Sequence, residues 1–267
     1  MWNVSGGNAI IAHMFSNHIG RCAFLLGLLG LLGGCPLPPH PPTPYEPVKK
    51  IESSTARAYW LYLPSYYKED REWPLVVSLH GTYGWDGAWA QAMEWKYVAE
   101  QHGLIVVAPQ LKSVQGILPV IRSWWYKDLE ADERLVLAII DEMVGRYRVD
   151  PKAVLLTGFS AGGYPLYYVG LRNPKRFNMV IARACNSDVE MMDRIKVTDD
   201  LRKLPVTIFW GRDDMKSINT QSWEAFEWLR VHKCYVAKAK KVEGGHFRRP
   251  ERAYEYWLEH LPKQHRA

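Results

Sequence analysis

From Ile51 onward the chain alternates apolar runs of strand length with longer segments whose apolar residues recur at helical spacing. Leu75–Leu79, Leu104–Ala108, Ala153–Thr157, Met179–Ala184 and Val206–Trp210 lack the every-second-residue polarity of a strand with one face in water. Such runs suit strands covered on both faces. Arg57–Leu63 and Tyr235–Val242 read as further strands, the first of them alternating. Leu129–Tyr147 carries Leu135, Ile139, Ile140, Met143 and Val144 at helical spacing, and Trp223–Val231 and Glu251–Leu261 read as helices. Alternating strand and helix predicts an α/β fold, a mostly parallel central sheet with helices on both faces. One domain over residues 51–267 accommodates it, with no internal repeat.

Composition agrees with a packed globular protein. Of 267 residues, 48% are hydrophobic and 23% charged, which excludes a disordered chain or a collagen-like fibre; four cysteines are too few for a disulfide scaffold. The net charge of +6 is mild. Its basic clusters (Lys238, Lys240 and Lys241; Arg248 and Arg249) lie in no nucleic-acid module and read as solvated surface charge, so no nucleic-acid partner is expected.

The amino terminus reads as an address. Cys22–Gly34 is apolar, follows Arg21, and is short of the roughly twenty residues that a spanning helix needs. Its length suits the core of a secretion signal. The run ends Leu32-Gly33-Gly34-Cys35, similar to the bacterial lipoprotein signal, in which small residues precede a cysteine that is lipidated. Residues 1–35 are therefore expected to be a lipoprotein-type signal, with Met1 or Met14 as the start and Cys35 as the membrane anchor; a plain signal peptide or a buried helix is the other reading. Residues 36–50 are proline-rich and suit a semi-rigid polyproline stalk. Such a protein would be exported and held at a bacterial membrane, or secreted. Cys185 and Cys234 remain in the domain, read as buried free thiols, though an oxidising compartment would permit a bridge.

The chemistry is carried by Gly158-Phe159-Ser160-Ala161-Gly162-Gly163, which follows the strand Ala153–Thr157 and precedes helix-compatible sequence. A G-x-S-x-G motif at a strand-to-helix turn holds a serine nucleophile on a sharp bend, where Gly158 and Gly162 remove collisions. A serine hydroxyl needs a base. His246, in Val242-Glu-Gly-Gly-His-Phe247 after the last strand, fits that place. The acid that orients it should lie between Ser160 and His246, and Gly211-Arg212-Asp213-Asp214 follows the strand Val206–Trp210. Asp213 and Asp214 both fit that place, and Asp188, after the previous strand, is a weaker candidate. Two N–H donors should meet the oxyanion. Ala161 supplies one. The other comes from His80-Gly81-Thr82-Tyr83-Gly84, with Thr82 preferred and Tyr83 the alternative. His80 is expected to support that loop. Nothing in the sequence calls for a cofactor or a metal, since no phosphate-binding glycine loop, dinucleotide fingerprint or zinc motif is present.

Together these residues resemble the α/β-hydrolase superfamily, over about Ala56–Leu261. Within it the chain looks like the secreted feruloyl esterases, acetylxylan esterases and polyhydroxybutyrate depolymerases. The motifs are the strand leading into His80-Gly81-Thr82, Val149-Asp150-Pro151, Gly158–Gly163 and Asn173-Pro-Lys-Arg-Phe177. The resemblance implies an α/β-hydrolase fold and a serine esterase working through an acyl-enzyme on carbohydrate-linked or polymeric esters. Related hydrolases usually carry the acid three residues after a glycine such as Gly211, so the resemblance prefers Asp214 with Asp213 as the alternative; the adjacent pair departs from the usual pattern. The short stretch between Cys185 and Pro205 leaves little room for a large lid domain. A serine peptidase on the same fold is the runner-up, and a non-catalytic lipid-anchored binding protein a third reading. Trp85, Trp89, Trp124, Trp125 and Tyr126 either pack the loops or form platforms for sugar or phenolic rings.

Overall fold

The computed structural model describes residues 43–114 and 122–266. Eight strands form one sheet: β1 (Val48–Glu52), β2 (Arg57–Tyr62), β3 (Trp73–Leu79), β4 (Ile105–Pro109), β5 (Val149–Ser160), β6 (Met179–Cys185), β7 (Val206–Gly211) and β8 (Val236–Val242). Their order is β1-β2-β4-β3-β5-β6-β7-β8. The pairs β1–β2 and β2–β4 are antiparallel, and every later pair is parallel. The helices are α1 (Ala88–His102), α2 (Arg122–Arg146), α3 (Gly163–Arg172), α4 (Val189–Asp193), α5 (Asp199–Lys203), α6 (Lys216–Val231) and α7 (Pro250–Leu258).

The apolar runs have the cause expected of them. Leu75, Val77 and Leu79 of β3 face one core with Leu156, Val180 and Ile208, closed by α2, α3 and α6 through Leu135, Ile139, Leu166, Val169 and Leu229. Val76, between them, faces the opposite core with Val106, Leu155, Ile181 and Phe209, closed by α1 and α7 through Trp95, Val98 and Trp257. Successive side chains point to opposite faces, and helices cover both, so β3 is buried at every residue. Each fully buried Leu, Ile, Val or Phe contributes about 1.5–3 kcal/mol of hydrophobic transfer. The segment between β6 and β7 holds only the two five-residue helices α4 and α5.

The sheet begins at Val48, inside the stretch assigned above to the stalk. Strand β1 pairs Val48–Glu52 with Leu61–Arg57, and its first four residues are exposed. An edge strand of this kind shows little apolar signal. Helix α2 likewise starts at Arg122, seven residues before Leu129.

Strand β3 is flanked by β4 on one side and β5 on the other, so the chain reverses its direction of winding there. In open α/β sheets, a crevice forms outside the carboxyl ends of the strands at such a switch point. The carboxyl ends of β3 and β5 are adjacent, with Leu79 opposite Gly158. His80-Gly81-Thr82 leaves one and Ser160 ends the other.

Candidate active site

Ser160 ends β5 with φ at +53°. A side-chain-bearing residue in that left-handed region costs about 1–3 kcal/mol and persists only where its surroundings enforce it. Here the turn is closed by the Gly162 N–H, which donates to the Phe159 carbonyl at 2.9 Å. A Cβ on Gly162 would stand 2.6 Å from the carbonyl oxygens of Leu79 and His80, and one on Gly158 would stand 2.8 Å from the Gly162 oxygen. Backbone thus fills the space on both sides of the turn, the constraint inferred from the sequence for these two glycines. The loop after β3 passes equally close, since a Cβ on Gly81 would lie 3.1 Å from the Ser160 Cβ.

His246 and Asp214 meet. The imidazole Nδ1 lies 2.8 Å from Asp214 Oδ1, and the Asp214 side chain is fully buried. Asp214 Oδ1 also accepts the Met215 N–H at 2.8 Å. Asp213 is exposed. Its N–H donates to the Gly244 carbonyl at 3.1 Å, which fastens the two loops together. Asp188 caps α4 through the Met191 N–H and pairs with Arg122 at 3.0 Å, so it belongs to neither loop. The His246 ring packs on Phe159, the residue before Ser160, with centroids 4.6 Å apart. A neutral imidazole whose Nδ1–H is held by a carboxylate leaves Nε2 as a base.

On the oxyanion side, Tyr83 N–H donates to the Val114 carbonyl at 3.1 Å. Thr82 and Ala161 N–H find no acceptor among the described residues. Of the two candidates in this loop, Thr82 is thus the one with a donor to offer. His80 is fully buried beneath it. Its Nε2 accepts the Leu111 N–H at 3.0 Å, which leaves the proton on Nδ1 to be donated to the Gly81 carbonyl at 2.8 Å. Burial lowers its pKa, so it stays neutral.

One group was misread in the sequence. Arg248, two residues past His246, is a buried ion-pair partner rather than a solvated surface charge. Its Nη2 meets Asp86 Oδ1 at 2.9 Å and its Nε lies 3.4 Å from Glu94 Oε2. Beside it the fully buried Arg183 of β6 uses all five of its donors, on Thr157, Ser78, Gln91, the Arg248 carbonyl and Glu94. Burial pushes Glu94 up to about 7, against the pull of Arg183 and Arg248.

The aromatic cluster divides. Trp125 is buried and packs edge-on against Tyr164 at 5.3 Å. Tyr126 packs against the core, whereas Trp85, Trp89 and Trp124 are exposed. Cys185 and Cys234 are both buried and free. Among the described residues no group of three or more histidine, cysteine or acidic side chains could hold a metal ion, and no helix is long and apolar enough to cross a membrane. Cys35 and the rest of residues 1–35, expected above to be a signal, lie outside the described residues.

The Esterase family model, described as "Putative esterase", matches residues 54–267. The chain belongs to this esterase family. A bifunctional acetylxylan esterase/xylanase from Neocallimastix patriciarum is 32% identical over 119 residues, 45% of this chain and 16% of that protein. A dipeptidyl-peptidase 5 from Porphyromonas gingivalis is 24% identical over 185 residues, 64% of this chain and 25% of that protein. The chain thus spans a quarter or less of the length of these curated relatives. A ferulic acid esterase from Anaeromyces mucronatus, solved with ferulic acid, superposes with a TM-score of 0.59 at 17% identity, covering 85% of this chain and 94% of that one. The two share the α/β-hydrolase fold that the sequence predicts.

Proposed function

We propose that this protein is a serine esterase that cleaves carboxylic esters through an acyl-enzyme. The observation that carries the reading is the buried Asp214 carboxylate 2.8 Å from His246 Nδ1, on the loop that packs against the Ser160 turn. His246 Nε2 takes the proton as Ser160 Oγ attacks the ester carbonyl. The carbonyl oxygen becomes an oxyanion, received by the N–H groups of Thr82 and Ala161. Removing one such donor typically costs about 10²–10³ in kcat. The intermediate collapses, the C–O bond to the alcohol breaks, and His246 returns the proton to the leaving oxygen. Water then attacks the acyl-enzyme by the same route, releasing the acid and free Ser160. Asp214 holds the imidazole in the tautomer that this requires and stabilises its positive charge. No step needs a cofactor.

The relatives' names support ester-linked carbohydrate as the substrate class, with acetyl or feruloyl groups as acyl partners. The match to a dipeptidyl-peptidase 5 over 64% of this chain favours a second reading, peptide cleavage by the same residues. Fluorophosphonate labelling and hydrolysis of p-nitrophenyl esters, acetylated and feruloylated sugars and dipeptidyl amides, all beside Ser160→Ala, separate the readings. Ester turnover lost in the variant supports the esterase; turnover confined to the amides supports the peptidase. A folded protein that neither labels nor turns over supports a binding protein.

For the amino-terminal region the reading is export and anchoring by lipid on Cys35, supported by Leu32-Gly33-Gly34-Cys35 and the proline-rich stretch after it. Palmitate labelling in a bacterial host that disappears with Cys35→Ser is the expected result; unchanged labelling refutes it.

A further inference from the structure

Gly81 is held through both its carbonyl and its N–H. Its carbonyl accepts from His80 Nδ1 at 2.8 Å. The Gly81 N–H, in the preceding peptide, donates to Asp86 Oδ2 at 2.7 Å. A trans peptide is planar, with its C=O and N–H pointing in opposite directions. Fixing the Gly81 carbonyl therefore fixes the direction of the Thr82 N–H. Asp86 is held in turn. Its Oδ2 also accepts Gln91 Nε2 at 2.8 Å, and its Oδ1 accepts the Gly87 N–H at 2.8 Å and Arg248 Nη2 at 2.9 Å.

Arg248 leads to the other half of the site. Its guanidinium carbon lies 5.6 Å from the Phe159 ring centroid, and the His246 ring packs on that same Phe159. Its own carbonyl accepts from Arg183 at 3.1 Å, which fixes the backbone two residues past His246. The Asp86 and Arg248 side chains are 4% and 5% exposed. A buried ion pair is weak grounds for stability, because apolar residues of the same size often serve as well or better. Its reach is informative here, because it joins two loops that are 162 residues apart in the chain.

We propose that Arg248 and Asp86 are positioning residues that lock the His246 loop to the Thr82 loop, so that base and oxyanion donor are held as one unit. The inference rests on the serine-esterase reading. Neither residue touches the substrate, so the pair acts on kcat and leaves KM nearly unchanged. Its two members act as a unit and their losses do not multiply.

The test compares wild type, Arg248→Gln, Asp86→Asn and the double variant. The substrates are an ester and its thionoester, whose sulfur is a poor hydrogen-bond acceptor; thermal unfolding is measured alongside. Asp86→Asn keeps one oxygen for the Gly81 N–H while losing the charge that holds Arg248, so it decides the matter if Arg248→Gln does not fold. Expected are a tenfold to hundredfold lower kcat in each single variant, about what a misplacement of an ångström costs. KM should stay within threefold and the double variant should be no worse than the weaker single. The preference for ester over thionoester should shrink, because the oxyanion donor is what is displaced. Turnover within threefold of wild type in a folded variant, losses that multiply, or an unchanged ester-to-thionoester ratio would overturn the proposal. If wild type itself turns over neither substrate, the esterase reading fails and takes this inference with it; turnover in wild type and in both variants alike removes the positioning role alone.

Discussion

Gly211→Ala is the sharpest perturbation that the structure offers. Gly211 ends β7, and its backbone lies outside the left-handed region, so alanine adds one methyl without backbone strain. That methyl has nowhere to go. It would stand 2.1 Å from the Gly244 oxygen and 2.3 Å from the Gly245 oxygen, both backbone atoms of the segment that delivers His246. Ordinary contact begins at 3.4 Å, so the segment must retreat by about 1.3 Å. The Nδ1–Oδ1 distance is now 2.8 Å. A shift of that size carries it beyond the ~3.2 Å reach of a catalytic hydrogen bond. A misplacement of about 1 Å costs on the order of 10²-fold, and a wrongly held imidazole about 10⁴-fold. The expected kcat for p-nitrophenyl acetate is therefore about 10²- to 10⁴-fold below wild type. Overpacking should cost about 1–3 kcal/mol, which lowers Tm by roughly 2–12 °C in a domain of this size. A folded Gly211→Ala protein with kcat within threefold of wild type would refute the reasoning.

Three further outcomes are expected. Asp214→Asn should lower kcat by about 10³–10⁴ and Asp213→Asn by less than threefold; equal losses would show that the contact at His246 does not decide the acid. Burial holds His80 neutral in the fold, with its pKa lowered from 6.5. The unfolded chain therefore binds the extra proton first, and His80's contribution to stability is complete above pH 6.5 and lost as the pH falls. Glu94, raised from 4.5 to about 7, contributes the opposite slope between those values. The urea-unfolding difference between wild type and His80→Asn isolates the first effect; the wild-type advantage should shrink by up to about 1.4 kcal/mol per pH unit below 6.5, and a flat difference refutes it. Cys185, pushed up to about 12 by complete burial, should stay unmodified by a disulfide reagent at pH 8 until the protein unfolds, as read by peptide mass.

The strands of the parallel sheet were legible because their signal is local. Five apolar residues in a row, such as Leu104–Ala108, can be buried on both faces only in a covered sheet. The tight turn at Ser160 was legible for a similar reason, since strand, glycines and helix stand next to one another. Strand β1 was not, because Lys49 and Lys50 are exposed on an edge and resemble the stalk before them. Position in the chain did not separate Asp213 from Asp214; only the likeness to related hydrolases preferred Asp214. Which of them faces His246 is set by where Gly244 and Gly245 cross Gly211, more than thirty residues away. Arg248 was misread for the same reason. Beside Arg249 it reads as surface charge, and only Asp86, Glu94 and Arg183, brought from three other places in the chain, make it a buried ion.

The central claim is that Ser160 is the nucleophile of an ester hydrolase. Mass spectrometry of the intact protein after brief exposure to an activated ester, wild type beside Ser160→Ala, tests it most directly. The expected result is a covalent acyl adduct on the peptide containing Ser160, formed and lost at rates consistent with turnover, and absent from the variant. An adduct elsewhere, or ester turnover that survives in Ser160→Ala, would contradict it.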